Sequence, residues 1–71
     1  MQNQFANNLK YYRKKNNLTQ SQLAELLCID RTTLTGYEIG KRECDFNTLI
    51  QLASILNTST DNLLHNKRAG D

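Results

Sequence analysis

The polar side chains that follow Asp30 are the part of the chain best equipped to bind a ligand. In a helix beginning there, Arg31, Thr32 and Thr35 fall beside Gly36 on the outward, polar side. Arginine carries five hydrogen-bond donors, and a threonine hydroxyl both donates and accepts. This face is suited to contact a partner that is hydrated and charged.

Other kinds of chemistry find little support in the residue types. Cys28 and Cys44 lack the close spacing of a metal site, and His65 is the only histidine, so we expect no metal and no cofactor. No Ser/His/Asp or Cys/His set can be assembled, and no carboxylate pair sits in a plausible pocket, which argues against an enzyme. Small secreted domains usually carry four or more cysteines, so we expect both thiols to be reduced.

Length, charge and hydropathy limit the number of domains, the kind of partner and the location of the protein. A chain of 71 residues predicts one domain, over 1–65, followed by a frayed polar tail over 66–71. The net charge of +2 favours an anionic partner only weakly. The start MQNQFANN lacks a signal-peptide pattern, and no apolar run approaches membrane-spanning length. We therefore expect a cytoplasmic protein without membrane contact.

Two short helices with their own start signals must position the polar face. Thr19 and Gln22 have the spacing of a capping box, and Leu18 and Leu23 have that of a hydrophobic staple around it. Asp30 is the cap of the second helix. Only two residues separate the end of the first helix from this cap, and so short a link predicts the sharp angle of a helix-turn-helix.

The flanking segments predict three further helices. Gln4–Lys15 is amphipathic, Asp45 caps a segment of about ten residues, and Ser59 caps a last short turn. The segment after Asp45 is apolar over more than half its face, so we expect a buried central strut built on Phe46, Leu49, Ile50, Leu52, Ala53, Ile55 and Leu56. The chain has no proline and no strand-like alternation. The predicted fold is all-α, with five helices in one compact domain.

Together these motifs resemble the Xre/Cro type of helix-turn-helix regulators, the fold of the phage repressors and Cro proteins. The resemblance covers about residues 5–64, through LTQSQLAELL, DRTTLTGYEIGKR, FNTLIQLASILN and STDNLL. It implies a sequence-specific transcriptional regulator that binds double-stranded DNA as a homodimer, most simply a repressor. Two recognition helices would then lie about one DNA turn (~34 Å) apart on a palindromic operator. No small-molecule ligand is implied.

The resemblance also implies which residues read DNA bases. The recognition helix of the family lies in the major groove, and the matching positions are Arg31, Thr32 and Thr35, with Gly36 beside them. Arg31 would fork onto guanine, and either threonine would offer its methyl or hydroxyl group. The alternative for Arg31 is a surface cation, although the helix dipole opposes a cation at a helix start. Gly36 implies either a close backbone approach or a relaxed base position.

The resemblance assigns phosphate contacts to Gln20, Thr33, Lys41 and Arg42. Gln20 also lies at a helix N-terminus, where free N–H groups favour an anion. Its alternative role is that of a capping partner for the helix start. Lys41 and Arg42 follow the recognition helix directly; elsewhere they would be ordinary solvated loop charges.

Two further assignments are structural. In relatives, the glutamate matching Glu38 pairs with a basic residue of the first helix, which is Arg13 here. An acid near a helix C-terminus is repelled by the dipole and therefore needs such a partner. Relatives often dimerise through the C-terminal helix, which makes Leu63 and Leu64 the candidates for that surface.

Cys28 departs from the family pattern. It occupies a turn position that is usually glycine, because the backbone there tends to be left-handed, and a cysteine would bear strain of about 1 kcal/mol. We expect a buried, inert thiol, with a redox-sensing role as the alternative.

One other function fits the same fold. An antitoxin-like or adaptor module would use these helices to bind a protein, with only weak affinity for DNA. A tightly bound partner and a shallow salt dependence of DNA binding would distinguish it from a DNA-reading regulator.

Overall fold

The computed structural model describes residues 2–65, and this span folds into five α-helices with no strand among them. The predicted tail at 66–71 lies outside the described residues. The all-α, five-helix fold predicted from the sequence is confirmed, with helices α1 Gln2–Lys15, α2 Gln20–Leu27, α3 Arg31–Glu38, α4 Phe46–Ile55 and α5 Thr60–Leu64.

The helices begin where the capping residues predict. Thr19 Oγ1 accepts a hydrogen bond from Gln22 N at 3.0 Å, and Gln22 Oε1 accepts one from Thr19 N at 2.8 Å, so the capping box is complete. The side chains of Asp30, Asp45 and Ser59 each accept a hydrogen bond from the backbone N–H three residues later. Four helix starts are thereby fixed by local sequence.

Hydrogen bonding to the two aspartate caps also changes their acidity. The side chain and backbone of Thr33 hydrogen-bond to Asp30 and lower the pKa of its carboxyl group. Thr48 lowers the pKa of Asp45 in the same way. The lowered pKa favours the ionised form of both caps, which suits the positive end of the helix dipole.

Left-handed residues end three of the helical segments. Asn17, Cys28 and Asn57 have φ values of 60°, 60° and 58°. Asparagine tolerates this conformation, whereas cysteine carries the steric cost of its Cβ. The left-handed backbone expected at Cys28 is confirmed. Its side chain is exposed, however, so the expectation of a buried thiol is wrong.

All five helices contribute side chains to one core, in which α3 packs against α1 and α2, α5 packs against α1, and α4 packs against α2 and α5. Its fully buried side chains include Leu9, Leu23, Leu34, Leu52, Leu56 and Leu63. Because Leu63 is 0% exposed, it belongs to the core, which corrects its assignment to a dimer surface. Leu64 is 45% exposed.

Helix α4 is only partly the buried strut that was expected. Leu49, Leu52 and Ala53 are buried against the rest of the domain. Phe46 and Ile50, four residues apart on one helix face, are 70% and 45% exposed, so their assignment to the core is wrong. The apolar stripe of α4 is wider than the surface that α2 and α5 cover.

Among residues 2–65, no helix is long and apolar enough to cross a membrane. The same residues contain no group of His, Cys, Asp and Glu side chains that could hold a metal ion. Cys28 and Cys44 form no disulfide.

Candidate nucleic-acid interface

A buried ion pair holds α3 in place on its protein-facing side. Arg13 Nε lies 2.6 Å from Glu38 Oε2, and Arg13 Nη2 donates to Glu38 Oε1 at 3.2 Å. Arg13 Nη1 also donates to the backbone oxygen of Leu18 at 2.8 Å. Arg13 therefore joins the C-terminal residue of α3 to α1 and to the segment that leads into α2.

Gln20 connects this ion pair to the outward face of α3. Its Nε2 donates to Glu38 Oε1 at 3.0 Å, while its Oε1 accepts from Thr35 Oγ1 at 3.0 Å and from Arg31 Nη1 at 3.5 Å. Thr19 caps the helix start, so the Gln20 side chain does not fill that alternative role. Nothing in the sequence signals these contacts, because they depend on the angle between α2 and α3.

Helix α3 divides sharply into a buried and an outward side. Leu34 and Tyr37 face the core. Arg31 and Thr32 are exposed, and Thr35 is half-buried. Three of the four predicted base-contacting residues therefore share an accessible, polar helix face.

Gly36, the fourth predicted base contact, lies beneath another side chain of the protein. It is buried, and a Cβ at this position would stand 2.9 Å from Arg42 Cδ and 3.1 Å from Arg42 Cγ. Its carbonyl oxygen accepts hydrogen bonds from the backbone N–H groups of Lys41 and Arg42 at 3.0 and 3.1 Å. This corrects the assignment to base contact: the close approach that glycine permits is to Arg42, and Gly36 anchors the loop after α3.

The loop after α3 presents two cations beside the polar face. Lys41 and Arg42 are exposed, and Gly40 makes the turn into them with φ of 83°. Thr33, the other α3 residue predicted to contact phosphate, is half-buried and hydrogen-bonds to Asp30. Among the predicted phosphate contacts, the long cationic side chains of Lys41 and Arg42 have the greatest reach.

Residues 9–63 match the helix-turn-helix family described as HTH_3. The chain belongs to this family. YqaE of Bacillus subtilis, named an uncharacterized HTH-type transcriptional regulator, is 48% identical over 60 residues, which cover 84% of the chain and 52% of YqaE. The control protein C.SmaI of Serratia marcescens is 46% identical over 59 residues, or 83% of the chain and 70% of C.SmaI. The chain thus spans about half the length of YqaE.

A solved structure of this helix-turn-helix fold has the same arrangement of helices. The restriction-modification controller protein C.AhdI from Aeromonas hydrophila superimposes with a TM-score of 0.81 at 29% identity, over 87% of the chain and 90% of C.AhdI. The resemblance to Xre/Cro regulators that the sequence predicted is confirmed by these matches.

Proposed function

We propose that the protein is a sequence-specific regulator of transcription that inserts α3 into the major groove of double-stranded DNA. The observation that carries this proposal is the outward face formed by Arg31, Thr32 and Thr35. This face lies on a short helix that the buried Arg13–Glu38 pair holds from behind. The major groove is wide enough for an α-helix, and its base edges offer donors and acceptors that such side chains can distinguish.

The candidate residues divide between base reading and phosphate binding. Arg31 has donors to spare for guanine O6 and N7, and Thr32 offers a hydroxyl and a methyl group to the groove. Lys41 and Arg42 neutralise phosphates beside the groove and fix the register of the helix without reading sequence.

Gln20 joins the phosphate contacts through donors that its internal hydrogen bonds leave unused. Its Nε2 carries two hydrogens, and Glu38 Oε1 accepts one of them. The backbone N–H groups at the start of α2 add donors that favour an anion. Thr33 contributes as a weaker contact, because it is half-buried and its backbone N–H already donates to Asp30 Oδ1 at 3.2 Å.

A homodimer on a palindromic operator, acting in the cytoplasm as a repressor, completes the proposal. A single domain of this size makes few base contacts, and pairing two of them doubles the number of bases read. Leu64, exposed on the last described helix, is the remaining candidate for the dimer surface. The names of C.SmaI and C.AhdI, a control protein and a restriction-modification controller protein, are in keeping with a regulatory role.

Selection from random duplexes with the purified protein tests this function. We expect one enriched motif of two inverted half-sites, with centres about 10 base pairs apart. The logarithm of the binding constant should fall linearly with the logarithm of salt concentration. The proposal would be overturned if the selected duplexes show no enriched motif and the binding constant depends only weakly on salt concentration.

A protein-interaction module is the second candidate, favoured by one observation. Within the part of the chain that the structure describes, five large apolar side chains are at least 45% exposed, namely Leu26, Ile39, Phe46, Ile50 and Leu64. Phe46 and Ile50 lie one turn apart on α4, and exposed apolar side chains that adjoin one another commonly mark protein contacts. Purification with a stoichiometric partner of another sequence, combined with a shallow salt dependence on DNA, would favour this function.

A further inference from the structure

The orientation of the Gln20 side-chain amide is fixed by its neighbour. The Glu38 carboxylate, paired with Arg13, accepts hydrogen bonds and donates none. The Gln20 atom that lies 3.0 Å from Glu38 Oε1 is therefore the amide nitrogen. It follows that the carbonyl oxygen of Gln20 faces α3, where it can only accept.

This oxygen takes the one hydrogen of the Thr35 hydroxyl. Thr35 Oγ1 lies 3.0 Å from Gln20 Oε1, and of these two atoms only the hydroxyl can donate. The hydroxyl keeps its lone pairs, which accept hydrogen bonds but donate none. Thr35 is only half-buried, and its hydrogen bond to Gln20 is partly buried, so part of the residue remains accessible to a partner of α3.

We propose that Thr35 reads DNA as a hydrogen-bond acceptor and that Gln20 sets this polarity; the proposal rests on the function proposed above. In the major groove, the exocyclic amino groups of adenine (N6) and cytosine (N4) donate, whereas the only hydrogen-bonding groups that guanine and thymine present there are acceptors. Thr35 therefore selects adenine or cytosine on the strand it faces and disfavours guanine and thymine.

Arg31 has the opposite polarity by its own chemistry, because a guanidinium only donates hydrogen bonds. One of its N–H groups points to Gln20 Oε1 at 3.5 Å, and its remaining donors stay available for an acceptor-rich base such as guanine. Gln20 thus holds one donor and one acceptor on neighbouring turns of α3. In this role Gln20 is a positioning residue, and Thr35 is the residue that determines specificity.

Random-duplex selection with four proteins tests the proposal. The wild type should prefer adenine or cytosine at one half-site position. Thr35→Val should reduce this base preference about tenfold and leave the preferences at the other positions unchanged. Thr35→Ser keeps the hydroxyl and should retain it. Gln20→Met frees the hydroxyl hydrogen, so guanine or thymine should become acceptable at the same position.

A base analogue tests the contribution of a single exocyclic amino group. In the selected site, the adenine or cytosine is replaced by the analogue that lacks only the exocyclic amino group. Wild-type affinity should fall about tenfold, and the affinity of Thr35→Val should not change. Gln51→Met and Thr60→Val make the same chemical changes on α4 and α5, away from α3, and should bind like the wild type.

Two results would overturn the inference while leaving the proposed function intact. The first is a wild-type preference for guanine or thymine at the position that Thr35→Val alters. The second is a selected motif that neither Thr35→Val nor Gln20→Met changes. By contrast, failure of the wild type to enrich any motif would overturn the proposed function itself, and the inference with it.

Discussion

Glu38 meets Arg13 inside the protein, with Oε2 2.6 Å from Nε, although Glu38 occupies the last turn of α3. The helix dipole disfavours an acid at this end, and burial removes both charges from water. The pair persists because Arg13 supplies two hydrogen bonds to the carboxylate and Gln20 supplies a third. Loss of either charge therefore leaves the other buried without compensation.

Glu38→Ala should lower the free energy of unfolding by about 3–5 kcal/mol, because it leaves the Arg13 guanidinium buried without an opposite charge. Urea denaturation measures this loss. The neighbouring cation Lys14 is exposed, and Lys14→Ala should change stability by less than about 0.5 kcal/mol. The double replacement Arg13→Met with Glu38→Leu should recover most of the stability. A loss under about 1 kcal/mol for Glu38→Ala would mean that water reaches the pair in solution.

Local signals in the sequence predicted the helices well because each signal acts over a few residues. The Thr19–Gln22 box and the caps Asp30, Asp45 and Ser59 all depend on contacts three residues apart, and all are present. Periodicity was weaker as a guide to burial. It marks an apolar stripe but does not give the width of the surface that covers the stripe, so it predicts a buried Phe46 where the side chain is 70% exposed.

The sequence predicts which residues share the exposed face of α3, but not the contacts that join these residues to other elements. Arg31, Thr32 and Thr35 could be assigned to one face from helical spacing alone. The contacts of Gln20 with Thr35, and of Gly36 with Arg42, join separate elements. Such contacts depend on interhelical angles and loop paths that spacing does not specify. The prediction that Leu63 lies at a dimer surface fails for the same reason, because the packing of α5 against α1 is a tertiary feature.

Cys28→Gly should raise the free energy of unfolding by about 1 kcal/mol, because glycine adopts the left-handed conformation at φ 60° without a Cβ clash. Chemical denaturation under reducing conditions measures the gain. Cys28→Ala keeps the Cβ and should leave stability within about 0.5 kcal/mol of the wild type. An equal gain from alanine would trace the effect to the thiol and contradict the backbone explanation.

Gly36→Ala should displace the Arg42 side chain while leaving the helix intact. The added Cβ would meet Arg42 Cδ at 2.9 Å, and a flexible, exposed arginine can move aside. Thermal unfolding should show no loss, since alanine favours a helix by about 1 kcal/mol over glycine. Affinity should change equally for all duplexes, and this change should vanish in an Arg42→Ala background. An altered base preference would return Gly36 to the base-reading face.

Lys41→Ala should lower the slope of log binding constant against log salt by about 0.9 per bound monomer, because one phosphate contact is lost. Binding titrations between low and moderate salt measure the slope. The selected motif should stay the same, since phosphates carry no base identity. Lys41→Arg conserves the charge and should keep the slope. If the slope of Lys41→Ala equals that of the wild type, Lys41 lies outside the footprint.

Arg31→Ala should weaken binding to the selected site by about 1–3 kcal/mol and relax the preference at one base pair. The loss is confined to one position because a guanidinium forks onto the edge of a single guanine. Arg31→Lys keeps the charge without the planar fork, so it should retain the salt slope and lose the base preference. Competition titrations against duplexes substituted at each position separate the two effects. Equal weakening on every sequence would make Arg31 a phosphate contact and transfer base reading to Thr32 and Thr35.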